Sequence, residues 1–251
     1  MDAIHSKFLV HWTGKQIATG TELSPDQICL YVAHLRKILT EGLYVRCPSA
    51  DEARRERTFG NTWGEEHWFD ICFACLCFTE IRLTQAEAHA KRYGKLGIGF
   101  SRDFVMSRGG NPAFYIQNGC QGIAAEMFDR ISGYLKERCQ AGDAAAKVQK
   151  RHLEVLMAFT KRMGEQDAPE LTYYDEMEWR ILHSDGGEKA GHFIPTAEGL
   201  WLMPFQLSDV KLIVFPTADV KRCALQDPVL KDLLSQLPSP MLLTLDDCAH
   251  F

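Results

Sequence analysis

Residues 173–182, with the sequence Tyr-Tyr-Asp-Glu-Met-Glu-Trp-Arg-Ile-Leu, constrain the fold of this chain more than any other stretch. Apolar and charged side chains alternate along it, and a period of two is typical of a β-strand with one buried face. The pattern assigns Met177, Trp179 and Ile181 to one face, and Glu176, Glu178 and Arg180 to the other. We expect the apolar face to join the core. The charged face is then either a solvated sheet surface or the floor of a cleft.

Composition is that of an ordinary globular protein. The chain has 251 residues, of which 46% are hydrophobic and 24% are charged, so it is long enough to bury a substantial core. The formal net charge of -5 provides no overall basic field for nucleic acid, although a local arginine patch remains open. No signal-peptide pattern and no apolar run of about 18 residues occur, so we expect a cytoplasmic protein without a membrane span.

Nine cysteines are scattered through the chain, and in a cytoplasm we expect them to be reduced. Cys72, Cys75 and Cys77 raise the question of a zinc site. On a strand, however, Cys75 and Cys77 face away from Cys72, and no paired Cys-x-x-Cys or histidine cluster supplies the remaining ligands. We therefore favour buried thiols that act as small hydrophobic residues, and we predict no metal.

Strands and helices follow one another in an order that predicts an α+β fold with mixed sheets. An alternating strand ends at Thr13 and carries His11 on the same face. Ser24, Pro25 and Gln27 then form a capping box that opens a helix. We predict one domain over residues 1–251, with a helical-hairpin insertion at about 119–164.

Two further segments bear on function. The predicted strand at residues 96–100 has only Gly97 and Gly99 on its second face, which marks a close approach by another chain segment or by a ligand. The first helix of the insertion carries an apolar stripe at helical spacing. Its members are Ile123, Met127, Ile131 and Leu135.

Several landmarks occur in an order that resembles a known family. They are Val-His-Trp-Thr at 10–13, Ile-Leu-Thr-Glu-Gly-Leu at 38–43, Cys-Phe-Thr-Glu-Ile at 77–81, His-x-x-x-Tyr-Gly at 89–94, Gly-Ile-Gly-Phe at 97–100, Asn-Pro at 111–112 and Glu-Met-Glu-Trp-Arg at 176–180. Over roughly the first 180 residues this pattern resembles the AbiGi-type abortive-infection proteins of bacterial phage defence. The opening is more distantly similar to DarT-type ADP-ribosyltransferases.

The resemblance implies an ADP-ribosyltransferase-like fold of split mixed sheets that binds NAD in a cleft. Carried over by position, it implies that His11 holds the adenosine-side ribose and that Glu178 contacts the nicotinamide ribose, with Glu176 as its partner. Tyr93 takes the place of the stacking aromatic. Thr13 and Ser101 are further polar contacts for NAD.

The chemistry of such an enzyme calls for these residue types. Cleavage of the bond between ribose and nicotinamide builds positive charge on the sugar, and a fixed carboxylate such as Glu178 would stabilise that charge. Glu176 lies about 6–7 Å away by strand rise, where it could serve as a general base for the acceptor. Arg180 on the same face would lower the pKa of either carboxylate, or would form an ordinary surface ion pair.

Three functions remain open at this point. The leading hypothesis is an NAD-dependent ADP-ribosyltransferase toxin of anti-phage defence that modifies a protein or a nucleic acid. Its partners would be a neutralising antitoxin or a phage-derived trigger. The alternative is a non-catalytic antitoxin or phage-sensing module on the same fold, in which Glu176, Glu178 and Arg180 form a solvated or docking face. A nuclease ranks last, because the sequence lacks paired acidic ligands at helical spacing and carries net negative charge.

Overall fold

The computed structural model describes residues 8–18, 20, 22–45, 47, 73–80, 82–116, 123–162, 176–238 and 240–250. The strands in these residues are β1 (Phe8–Thr13), β2 (Leu43–Val45), β3 (Cys75–Thr79), β4 (Leu96–Ser101), β5 (Asn111–Pro112), β6 (Phe114–Ile116), β7 (Thr160–Arg162), β8 (Glu178–Leu182), β9 (Ile194–Pro195), β10 (Trp201–Met203), β11 (Val210–Phe215) and β12 (Met241–Thr244). The helices are α1 (Pro25–Glu41), α2 (Ala86–Tyr93), α3 (Arg102–Ser107), α4 (Ile123–Gln140), α5 (Ala144–Ala158), α6 (Asp185–Lys189), α7 (Ala218–Gln226), α8 (Pro228–Ser235) and α9 (Leu245–Cys248).

A seven-stranded mixed sheet forms the centre of the molecule, in the order β12-β11-β4-β1-β3-β8-β5. Neighbouring strands are antiparallel except for the parallel pair of β11 and β12. Two small sheets accompany it, one of β2, β10 and β9 and one of β6 and β7. The prediction of a mixed α/β protein is thereby confirmed, whereas the ADP-ribosyltransferase-like arrangement of the sheets and the single-domain assignment stay predictions.

Strand register decides which side chains share a face of the central sheet. Val10 lies opposite Thr79, and Thr79 lies opposite Glu178, so these three side chains point to the same side. His11 and Thr13, one residue out of step with Val10, point to the other side. We call the side that holds Val10 and Glu178 the front face, and the side that holds His11 the back face.

The back face carries the larger core. Helices α1, α7 and α8 cover it with side chains that include Leu35, Val220 and Leu230, packed against Ile98 and Ile213 of the sheet. Helix α1 begins as predicted, with Ser24 as N-cap, a reciprocal bond from Gln27 and Pro25 in the first turn, and it ends at Gly42. A smaller apolar cluster lies on the front face, where α2 and α9 cover Val10 and Trp12.

The two glycines of β4 lie on the front face, and protein side chains fill the space beside them. A Cβ on Gly97 would come within 2.9 Å of the Trp12 ring and 3.0 Å of Val10, and one on Gly99 within 2.7 Å of Leu212. Trp12 lies directly opposite Gly97 in the register. Close approach by another chain segment therefore accounts for the bare backbone, and the glycines permit β1 and β11 to place large side chains there.

The predicted helical hairpin is present as α4 and α5, joined by a turn at Gly142. Its internal core consists of Leu135 from α4 and Ala146, Leu153 and Met157 from α5. The apolar stripe of α4 lies only partly in this core. Only Leu135 of that stripe is buried, whereas Ile123, Met127 and Ile131 are exposed.

Candidate functional site

The charged stretch that leads into β8 differs from the expected strand in two ways. Met177 adopts a φ of 42°, so regular strand geometry begins only at Glu178, and Met177 is exposed rather than in the core. The charged side chains are buried, as Ile181 of the apolar face also is, with Glu176 and Glu178 each 4% exposed and Arg180 0% exposed. The charged face is therefore neither a solvated sheet surface nor an open cleft floor. Residues 173–175 lie outside the described part of the chain.

Four buried charges form a closed network, which we call the charge cluster: Lys161, Glu176, Glu178 and Arg180. The Lys161 ammonium donates to Oε2 of Glu176 and to Oε2 of Glu178, each at 2.5 Å. The Nε of Arg180 donates to Oε1 of Glu178 at 2.5 Å. Two cations and two carboxylates thus neutralise one another, which is how charged groups are tolerated away from water.

The two carboxylates differ in acidity. Burial favours the protonated form of Glu178, but Arg180 and Lys161 outweigh it and hold the pKa of Glu178 well below its usual range. Burial also raises the pKa of Glu176, and Lys161, which Glu176 shares with Glu178, offsets that effect only in part. The expected effect of Arg180 on carboxylate acidity is thus present at Glu178.

Helix α2 closes one side of the charge cluster. The Tyr93 hydroxyl donates to Oε1 of Glu176, and Arg92 lies 3.3 Å from the same oxygen. Burial raises the pKa of Tyr93, so its hydroxyl remains a donor at neutral pH. Tyr93 therefore lies beside Glu176, as the sequence grouped them, and its contact there is a hydrogen bond to the carboxylate.

The charge cluster also joins the hairpin to the sheet. Nη1 of Arg180 donates to the carbonyl oxygens of Ala158, at 2.7 Å, and Thr160, at 3.2 Å, at the point where α5 ends and β7 begins. The backbone N–H of Glu178 donates to the Tyr115 hydroxyl of β6 at 2.7 Å. Lys161 belongs to β7 itself. The backbone and side chains of β8 thereby hold β6 and β7, the base of the hairpin, against the front face.

The structure does not bring His11 and Thr13 to the two glutamates. Both lie on the back face, where Nδ1 of His11 donates to the Cys77 carbonyl oxygen at 2.9 Å and Thr13 Oγ1 lies 2.9 Å from Nε2 of His34. Burial lowers the pKa of His11, so its neutral form is favoured at pH 7. The central sheet separates this pair from Glu178. Their roles in NAD binding stay predictions.

Ser101 ends β4 on the front face, three strand positions from β8, which corresponds to about 14 Å at the usual strand spacing. Its hydroxyl accepts a hydrogen bond from the Phe104 backbone N–H and caps α3. Its described contact is this helix cap, and a role toward NAD stays a prediction.

Two cysteines of β3 share the front face. The sulfurs of Cys75 and Cys77 are 3.9 Å apart, and Cys77 is exposed, so the expectation of buried thiols is wrong for Cys77. A hydrogen bond with Cys75 raises the pKa of the Cys77 thiol. Cys72 lies outside the described part of the chain. Among the residues that the structure describes, His, Cys, Asp and Glu do not gather in groups of three that could hold a metal ion.

Sequence reasoning missed Lys161, Arg92 and Tyr115, which complete the charge cluster and its surroundings. Each comes from a different element, separated from Glu178 by 17, 86 and 63 positions. No local spacing links them. One signal in the sequence could have indicated them. Two carboxylates and only one arginine share a single strand face, so burial of that face requires further cations from other segments.

Comparison with protein families gives a match for residues 57–194, to the model described as abortive phage resistance protein AbiGi, antitoxin. The match covers more than half of the chain. The chain belongs to the AbiGi family. The residues that match this AbiGi model include the hairpin and the whole charge cluster, whereas His11 and Thr13 lie outside them. No curated protein and no solved structure matches the chain. None of the helices within the described ranges is both long and apolar enough to cross a membrane.

Proposed function

We propose that this AbiGi family member is the antitoxin of an abortive-infection pair, and that it protects the cell by binding a partner rather than by catalysing a reaction. The description of the family supports both phage resistance and the antitoxin role. An antitoxin implies a toxin as its partner. The alternative that the sequence left open thereby becomes the leading hypothesis.

The burial of Glu178 carries this proposal. A carboxylate that stabilises charge on a sugar must face the reacting atom in the transition state. Both oxygens of Glu178 accept hydrogen bonds from buried cations, Lys161 and Arg180, and the side chain is 5% exposed. Its bonding capacity is used inside the protein, which is the arrangement expected of a structural ion network.

A structural role for the charge cluster also has a purpose under this proposal. Arg180, Lys161 and Tyr115 tie the base of the hairpin to the central sheet. A hairpin held in this way presents α4 and α5 as a rigid surface. Rigid surfaces bind partners with a smaller loss of conformational entropy than mobile ones.

Genetic selection tests the proposal and identifies the partner. Fragments of the source genome are placed under an inducible promoter. The selection keeps each fragment that stops growth when it is expressed alone but permits growth when this chain is co-expressed. We expect at least one such fragment to encode a toxin. The antitoxin proposal is overturned if some fragments stop growth when expressed alone and co-expression of this chain restores growth with none of them.

A variant of the charge cluster separates binding from catalysis in the same selection. The variant combines Lys161→Met, Glu178→Leu and Arg180→Met, which replace buried charges by apolar residues of similar size. It removes the carboxylate that would stabilise a ribose, together with both of its cations, and leaves a packed interior. If the protein protects by binding, this variant should still protect cells from the toxin, provided that circular dichroism shows it to be folded. Loss of protection by a folded variant would contradict protection by binding alone.

A second candidate is the ADP-ribosyltransferase, and one observation favours it. The pKa of Glu178 is held well below its usual range and burial raises that of Glu176, so two carboxyl groups that share Lys161 differ in acidity in the direction that an acid–base pair requires. Under this proposal NAD is the substrate, Glu178 stabilises the ribose, and Glu176 and Tyr93 act beside it. His11, Thr13 and Ser101 are its proposed NAD contacts.

Calorimetric titration of the whole protein with NAD tests the second candidate directly. Heat that saturates at one NAD per chain, together with transfer of label from NAD to cell extract, would support the enzyme. Glu178→Gln should abolish label transfer. The absence of both binding heat and label transfer would exclude the enzyme and leave the antitoxin proposal unaffected.

A further inference from the structure

Cys75 and Cys77 form a pair of free thiols on the front face of β3. They are two residues apart on one strand, so their side chains point the same way. Their sulfur atoms are 3.9 Å apart. Cys77 is exposed and Cys75 is half-buried, so the pair is open to solvent. Two thiols placed in this way can act together as one chelating unit.

The sheet fixes the backbone that carries the pair. Strand β3 is an inner strand of the central sheet and lies between β1 and β8. In the register with β8, Cys75 lies opposite Leu182. Cys77 lies opposite Arg180, and its carbonyl oxygen also accepts a hydrogen bond from Nδ1 of His11. Because β3 is paired on both sides, the separation of the two cysteine Cα atoms is set by the sheet.

This backbone geometry opposes a direct disulfide between the two cysteines. Cα atoms two residues apart on a strand are about 6.6–6.8 Å from each other. That is the upper end of the range found in disulfides, about 4.4–6.8 Å. The sulfur atoms would also have to close from 3.9 Å to about 2 Å. Closure would shorten β3 against its pairing with β1 and β8, so oxidation of the pair is disfavoured in the folded protein.

A thiophilic metal ion fits the same pair without movement of the backbone. Zn²⁺ binds thiolate sulfur at about 2.3 Å and prefers tetrahedral geometry. An ion at that distance from both sulfur atoms, held where they lie, makes a sulfur–metal–sulfur angle of about 115°. The tetrahedral angle is about 109°. Thiolate ligands also favour Zn²⁺ and Cu⁺ over Mg²⁺ and Ca²⁺.

We propose that Cys75 and Cys77 are a two-thiolate binding site for a thiophilic metal ion of the Zn²⁺ class. Within the described part of the chain, ligating side chains do not gather in groups of three. The protein therefore supplies two ligands, and water on the exposed side of Cys77 fills the other positions. Such an open site differs from the closed structural zinc site that the sequence argues against. It does not depend on whether the chain is an antitoxin or an enzyme.

Charge balance supports this ligand. A hydrogen bond with Cys75 raises the pKa of the Cys77 thiol, so this sulfur carries its proton at pH 7 when no ion is bound. Binding of a divalent ion breaks two S–H bonds, forms two metal–sulfur bonds and releases two protons. The total charge at the site is unchanged. Because Cys77 lies opposite Arg180, the ion adds no net charge beside the compensated charge cluster.

Titration of the reduced, full-length protein with Cd²⁺ gives the first test. Cd²⁺ is a spectroscopic substitute for Zn²⁺, since its bonds to thiolates absorb in the ultraviolet. We expect one Cd²⁺ per chain to bind through two thiolates. Cys75→Ser and Cys77→Ser should each weaken this binding by about 100-fold, because each variant leaves the ion one thiolate. Cys29→Ser is the matched control, since Cys29 is an exposed thiol on α1 and should leave the titration unchanged.

The double variant distinguishes one shared site from two separate thiols. With a shared site, either single substitution already removes the tight binding, so Cys75→Ser and Cys77→Ser combined should bind Cd²⁺ no more weakly than either alone. Separate thiols would each lose half of the absorbance. Proton release in weak buffer should be two per Cd²⁺ bound for the wild-type protein. Circular dichroism checks that each variant is folded.

The remaining outcomes overturn the proposal. They are a folded wild-type protein that binds no more Cd²⁺ than the double variant, and single variants that each keep half of the absorbance. A third is rapid and complete formation of a disulfide between Cys75 and Cys77 when the folded protein meets oxidised glutathione. Mass spectrometry of the peptide that contains both cysteines detects it. That result would make the pair a redox site and would contradict the geometric argument for a bridging ion.

Discussion

Arg180 and Glu178 lie two residues apart on β8, and the guanidinium Nε of Arg180 donates to Oε1 of Glu178 at 2.5 Å while its Nη1 donates to the Ala158 carbonyl oxygen at 2.7 Å. One side chain therefore joins a carboxylate of the central sheet to the end of a helix in the hairpin. Because Arg180 is fully buried, this bridge is protected from competition by water.

Removal of Arg180 should destabilise the protein strongly. Arg180→Met leaves Glu178 with one cation, Lys161, and takes a donor away from two backbone carbonyl groups, so we expect a loss of about 3–5 kcal/mol in the free energy of unfolding. Urea denaturation followed by far-ultraviolet circular dichroism measures it. As a matched control, Arg222→Met breaks the exposed pair with Asp219 and should cost less than about 1 kcal/mol.

Arg180→Lys separates the charge of Arg180 from its geometry. A lysine keeps the positive charge but has no planar fork, so it is unable to hold Glu178 and the Ala158 carbonyl oxygen at the same time. We expect this variant to recover less than half of the stability that Arg180→Met loses. Full recovery in urea denaturation would mean that charge alone accounts for the bridge.

The stability contributed by Glu178 should depend on pH in a defined direction. The pKa of Glu178 is depressed in the folded state relative to about 4.3 in the unfolded chain. A depressed carboxyl pKa adds stability above the unfolded pKa, and that stability is lost as the pH falls toward the folded pKa. The difference in unfolding free energy between wild type and Glu178→Gln should thus be largest near pH 7 and shrink below about pH 5.

Glu176 is the natural comparison, because burial raises its pKa. A carboxyl group with a raised pKa adds stability at low pH, and that stability is lost as the pH rises through the folded pKa. Glu176→Gln should consequently cost less than Glu178→Gln at pH 7. Equal costs at pH 7, with the same pH dependence in both variants, would contradict the assignment of the two acidities.

The glycines of β4 and α4 should respond in opposite ways to alanine. Gly97→Ala brings a Cβ within 2.9 Å of Trp12 and 3.0 Å of Val10, so a packed strand must shift, and we expect a loss of about 1–3 kcal/mol. A Cβ on Gly133, inside α4, meets nothing within 4 Å. Gly133→Ala should therefore stabilise the protein by about 0.5–1 kcal/mol, since alanine favours helix. Thermal unfolding measures both variants.

Local sequence signals predicted the elements that depend on neighbours in the chain. The capping box at Ser24 and the alternating strand that ends at Thr13 both appear where propensity and periodicity placed them.

The sequence was less informative about which surfaces are buried. Alternation in residues 176–182 separates charged from apolar side chains, yet the charged set is buried as Ile181 of the apolar set is, because Lys161 from β7 and Arg180 pair with the two carboxylates. The apolar stripe of α4 has the reverse outcome. It has the periodicity of a core-facing helix, but Leu135 alone reaches the hairpin core and the other members remain exposed.

The sequence by itself determined where strands alternate, where helices begin, and that a carboxylate-rich strand face needs an explanation. Tertiary structure decided that this face lies inside, that His11 is separated from Glu178 by the sheet, and that the hairpin is fixed to β8. The physical reason is the separation along the chain over which each kind of interaction acts. Periodicity and capping act between residues a few positions apart, whereas the pairing of Glu178 with Lys161 and the register of Val10, Thr79 and Glu178 join distant segments that only the folded chain brings together.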